Sequence, residues 1–88
     1  MGQTSREKPE RLAEKLLQIR TSLGLSQNSL ISRLGLIDRL TQSQVAAFER
    51  GAREPSLLVL LAYAKVARVS TDVLIDDGLD LPKRLTGD

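Results

Sequence analysis

The sequence predicts an all-α fold, a compact bundle of about five short helices around one aliphatic core. Three observations carry that prediction. Apolar residues recur at three- and four-residue spacing, as in Leu12, Leu16, Ile19 and Leu23. Alternating strand patterns are scarce, and Gly, Pro and Ser interrupt the chain about once per short helix. Aromatics are only 2% of the 88 residues, so Leu, Ile, Val and Ala must fill the interior of what is one domain's length of chain.

The elements follow in order. Residues 1–8 are polar and basic and read as a flexible arm. Pro9 suits the first turn of a helix that runs to about Ser22, because its missing N–H is not needed there. Gly24 is free to take the left-handed conformation that ends such a helix. Ser26 is a natural N-cap for a second helix carrying Leu30, Ile31 and Leu34, which Gly35 stops. Thr41 and Gln44 form a T-x-x-Q capping box, so a third helix starts at about Gln42, with Val45 and Phe48 inward and Gly51 at its end. After Pro55-Ser56, residues 57–67 are almost continuously apolar and long enough to prefer a buried helix, with Leu57, Leu60, Leu61 and Ala64 as its core stripe. Ser70 caps a last short helix through Val73, Leu74 and Ile75. The division expected is an arm at 1–8, a binding domain at 9–76 and an acidic tail at 77–88.

Composition removes most chemistry. The chain has no Cys and no His, which excludes disulfides, thiolate metal sites and the commonest general base. No catalytic residue, metal ligand or cofactor is expected, and the spaced aspartates Asp76, Asp77 and Asp80 read as solvated. No run approaches the ~20 apolar residues of a membrane span, and the first residues lack a secretory pattern. The expectation is therefore a cytoplasmic binding module. Residues 1–53 hold nine Lys/Arg against five Asp/Glu, whereas 54–88 hold four against six. Such a split suits a polyanion at one end, although random surface charge produces it too.

The third helix carries the functional signal. At about 100° per residue, Thr41, Val45 and Phe48 point one way, and Ser43, Ala46, Ala47 and Arg50 the other, with Gln42 and Gln44 on the flanks. Solvated helix faces usually carry Glu and Lys. A face that is small in the middle and amide-bearing at its sides suits the DNA major groove, because short side chains admit the helix and amides pair with base edges.

Leu25-Ser26-Gln27, Leu30, Leu34-Gly35, Thr41 to Val45 and Phe48 to Gly51, followed by Arg53 to Leu57 and Val69 to Leu74, resemble in that order the helix-turn-helix of the Xre family, which includes phage Cro proteins and repressors. The resemblance covers about residues 10–76 and implies a lambda-repressor-like DNA-binding domain. It places Gln42, Ser43 and Ala47 at base-facing positions, with Gln44 and Ala46 adjacent. It places Gln27, Thr41 and Arg50 on the DNA backbone, with Arg53 doing the same from the loop after Gly51. It also matches Arg20 and Glu49 to an ion pair that joins the first helix to the third.

Two departures stand out. The connection Gly35 to Leu40 is about four residues longer than the family's turn, and its apolar Leu36, Ile37 and Leu40 suggest that it packs against the bundle. Arg39 within it is either a phosphate contact or a plain surface arginine. Ile31 stands where the family commonly has a small Ala.

On the fourth helix, Leu58 and Val59 match positions that are often polar in the family. They are either a homodimer or partner surface or covered by the long connection or the tail. The resulting expectation is a sequence-specific double-stranded-DNA-binding transcriptional regulator of the repressor kind, a homodimer acting by occupancy and reading the major groove with the helix at about 42–50. The alternative is an antitoxin-type module whose fourth helix and tail cover a toxin or another regulator.

Overall fold

In the computed structural model, residues 8–85 are described, and they form five helices: α1 Leu12–Ser22, α2 Gln27–Leu34, α3 Gln42–Glu49, α4 Leu57–Ala67 and α5 Thr71–Ile75. Apart from Lys8, the expected basic arm lies outside the described residues. Leu16, Ile19, Leu30, Val45, Tyr63 and Leu74 are fully buried, so all five helices contribute to one core. Burial on this scale is the main favourable term in folding.

The local signals account for most helix ends. Ser26 Oγ accepts from Ser29 N, and Gly35 takes the left-handed conformation with φ +76°. Thr41 and Gln44 form the reciprocal capping box. Ser56 Oγ accepts from Val59 N, with buried Pro55 just before it. Ser70 occupies the N-cap position of α5 but makes no side-chain cap bond, contrary to expectation. The beginning of α1 also differs. Pro9 lies ahead of the helix, and the backbone N–H groups of Glu10 and Arg11 are taken by the Asp77 carboxylate at 2.9 and 3.0 Å. A carboxylate at a helix N-terminus satisfies open donors and complements the helix dipole.

The long connection packs only in part. Its turn is closed by Arg39 N and Leu40 N donating to Leu36 O, and Leu40 enters the core. Leu36 lies against the core, but Ile37 stands 67% exposed at the tip of the turn. Ile31 is buried between α2 and its neighbours, so the larger side chain is accommodated within the core.

The fourth helix turns a different stripe inward than expected. Leu60, Tyr63, Ala64 and Ala67 are buried, whereas Leu57 is 78% and Leu61 41% exposed. An unbroken apolar run carries no phase information, so spacing alone cannot select the inner face.

Residues 77–85, expected as an acidic tail, lie against the bundle with Leu81 in the core and Leu85 packed on it. Nor are the aspartates simply solvated. Asp77 holds the start of α1, Asp80 pairs with Arg11 at 2.8 Å, and Asp76 Oδ1 accepts from Gly78 N. Lys15, 1% exposed, donates from Nζ to the carbonyls of Val73, Asp76 and Leu79 at 2.8, 2.9 and 2.8 Å. A buried ammonium is tolerable when its donors are met in this way.

Candidate nucleic-acid interface

Helix α3 is held at both ends. Its N-terminus is fixed by the capping box, in which Gln44 Oε1 accepts from Thr41 N at 2.9 Å and Thr41 Oγ1 accepts from Gln44 N at 3.2 Å. Its C-terminus is tied to α1 through Glu49, whose carboxylate accepts from Arg20 Nε at 2.7 Å and from the second guanidinium branch at 3.1 Å. Arg20 also donates to Leu25 O at 2.9 Å. The pair is largely enclosed, with side-chain exposures of 18% for Arg20 and 6% for Glu49. Bonding to Glu49 holds the guanidinium charge on Arg20 more firmly than usual. Tyr63 is buried near the pair, and its ionisation is pushed upward by desolvation first and the Glu49 charge second.

An amide chain continues from this pair across the exposed surface. Gln27 Nε2, at the start of α2, donates to Glu49 Oε1 at 3.1 Å. Gln27 Oε1 in turn accepts from Gln42 Nε2 at 3.2 Å. The run Arg20–Glu49–Gln27–Gln42 therefore connects α1, the end of α3, the start of α2 and the start of α3. Bonds to ionised groups are the stronger links in such a network.

Around it, Gln42 and Ser43 are exposed, Gln44, Ala46 and Ala47 are half-buried, and Thr41 faces solvent as the cap rather than the core. Arg39, Arg50 and Arg53 are exposed. The structure thus brings Gln27 and Gln42 together and ties Gln44 to Thr41. The direct bond between Gln27 and Glu49 was not anticipated from the sequence. It joins residues 22 positions apart, beyond the reach of local spacing.

Comparison with known proteins bears on this arrangement. A family profile described as Helix-turn-helix matches residues 16–74, about two thirds of the chain. The chain belongs to the helix-turn-helix family. Among solved structures, this helix-turn-helix protein is similar to the P22 c2 repressor, determined in complex with a synthetic operator in the presence of Tl+. The two share 26% identity and superpose with a TM-score of 0.64 over 75% of this chain and 94% of the other. No curated protein matches. Among the described residues, no group of His, Cys, Asp or Glu side chains could hold a metal ion, and no helix is long and apolar enough to cross a membrane.

Proposed function

We propose that the chain is a transcriptional repressor that binds double-stranded DNA sequence-specifically and reads the major groove with α3. The observation that carries this reading is the Gln27–Gln42 bond, which sets an exposed amide at the tip of a helix clamped at both ends. A preset amide presents donor and acceptor together, the pattern adenine offers in the major groove. The similarity to a repressor solved on its operator supports the same reading.

In this proposal Gln42, Ser43 and Ala47 face bases, flanked by Gln44 and Ala46. Thr41, Arg39, Arg50 and Arg53 contact phosphates, as does the remaining amide hydrogen of Gln27 at the positive end of α2. Arg20 and Glu49 fix the angle of the reading helix. Two copies pair through the exposed Leu57 and Leu58 and the half-buried Val59, placing two reading helices on a (pseudo)palindromic site. Such a protein works in the cytoplasm or nucleoid and by occupancy, without catalysis. The antitoxin-type alternative is not favoured by the family match or by the repressor likeness.

Selection from a randomised DNA pool, followed by mobility shift, tests the proposal. The expected result is an enriched two-fold-symmetric sequence whose affinity falls steeply as salt rises. A pool that stays random after selection would overturn it.

A further inference from the structure

The hydrogen bonds that lead from α1 to the reading surface have a polarity, and it is imposed at the enclosed end. Arg20 has only donors, which are committed to Glu49 and to Leu25 O. The Glu49 carboxylate has only acceptors, and its Oε1 meets Gln27 at 3.1 Å. Gln27 must therefore turn its nitrogen to Glu49 and its oxygen away. That oxygen meets Gln42 at 3.2 Å, so Gln42 must in turn place its nitrogen towards Gln27. Turning Gln42 over would require turning Gln27 over as well. The Gln27 oxygen would then face a carboxylate whose side chain is only 6% exposed, with little water to separate two acceptors.

We propose that Glu49 selects adenine over guanine at the base Gln42 meets, an inference that rests on α3 reading the major groove. With one amide hydrogen on Gln27, Gln42 keeps its other hydrogen and its oxygen for the base edge. Adenine matches them with N7 as acceptor and N6 as donor. Guanine presents acceptors at both places, N7 and O6, so the same amide sets oxygen against oxygen. An amide free to turn over would put its nitrogen on O6 and lose that distinction. Glu49 is thus a positioning residue acting through Gln27 and Gln42, and what it transmits is amide polarity, separate from the angle of the helix.

Glu49→Gln isolates that property, because it keeps the shape and exchanges one acceptor for a donor. Arg20 Nε, the shorter contact at 2.7 Å, holds the new amide oxygen and leaves the new nitrogen facing Gln27. Gln27 and then Gln42 turn over. Proton–proton contacts of the side-chain amides, measured on the isotope-labelled full chain without DNA, test this relay directly. The Gln27 amide hydrogens should lie against the Glu49 side chain in the parent and against Gln42 in Glu49→Gln. Competition mobility shifts then test the base. At the operator position whose preference Gln42→Ala removes, Glu49→Gln should lower the preference for adenine over guanine about tenfold, with the other positions retained. Gln27→Leu leaves Arg20 and Glu49 paired and should lower the same ratio. Unchanged Gln27 contacts in Glu49→Gln, an unchanged ratio, or an equal loss at every position would overturn the proposal and leave the DNA reading standing. A parent chain that selects no DNA would overturn both.

Discussion

Gln27 Oε1 accepts from Gln42 Nε2 at 3.2 Å, so the first residue of α2 orients the first residue of α3. Because Gln27 Nε2 is itself bound to Glu49, the orientation of the exposed amide depends on a carboxylate at the far end of its own helix. Changes along this chain should alter what the surface recognises before they alter the fold.

Removing the two reading-surface side chains should have different signatures. Gln42→Ala should relax base preference at one operator position, at about 1–3 kcal/mol of discrimination. Arg50→Ala should weaken all sequences alike and reduce the salt dependence by about one phosphate contact. Competition mobility shifts across single-base operator variants and several salt concentrations check both. If both variants bind as the parent does, α3 is not the reader.

Glu49→Ala should weaken operator binding about tenfold, although Glu49 makes no proposed contact with DNA. The enclosed Arg20 charge loses its partner at the same time, so unfolding free energy should fall by about 1–3 kcal/mol. A double-mutant cycle with Arg20→Ala, measured by denaturant unfolding and by DNA titration, separates the pair's contribution from that of each residue. Additive effects on DNA affinity would remove the positioning role.

The Tyr63 hydroxyl is buried and, among the described residues, has no hydrogen-bond partner. Tyr63→Phe should therefore leave stability unchanged or raise it by about 1 kcal/mol, because an unmet polar group is removed while the ring packing remains. Thermal unfolding with the parent protein alongside checks this. A loss of about 1 kcal/mol or more would mean that the hydroxyl has a partner after all.

Lys15→Ala should lower unfolding free energy by about 2–4 kcal/mol, since it removes a packed side chain and strips the Val73, Asp76 and Leu79 carbonyls of their donor. The loss should appear in chemical denaturation as a lower midpoint with an unchanged slope.

Asp77 ionises more readily than a free aspartate, chiefly because Glu10 N and Arg11 N donate to it. Its native value is lowered, so its contribution to stability is complete above the unfolded value of about 4 and is lost as pH falls through the native one. Asp77→Asn should flatten the acid side of the stability curve, with little change in its pH dependence near neutrality. An unaltered acid limb would assign that dependence to other carboxylates.

Features that depend on neighbours in sequence were legible there. Ser26 and Thr41 with Gln44 sit beside the N–H groups they cap, so spacing alone places the starts of α2 and α3, and the Pro55-Ser56 break before an apolar run places that of α4. The inner face of α4 was not legible, because Leu57 and Leu61 are chemically equivalent to Leu60. Lys15 left a faint trace, since it falls with Leu12, Leu16 and Ile19 on one helical stripe. Its partners lie 58 to 64 residues away, however, and no local rule reaches that far. At the candidate interface the residue types on α3 were readable. That the Gln27 amide oxygen serves Gln42, 15 residues away, depends on how α2 and α3 come together.

The enclosure of Lys15 also makes it a gauge of local opening. An amine-modifying reagent meets Lys8, Lys65 and Lys83 directly, because all three are exposed. It reaches the Lys15 nitrogen when α5 and the segment after it lift away from α1, because Val73, Asp76 and Leu79 together enclose it. The labelling rate at that one nitrogen therefore measures how often α5 and the segment after it open from α1.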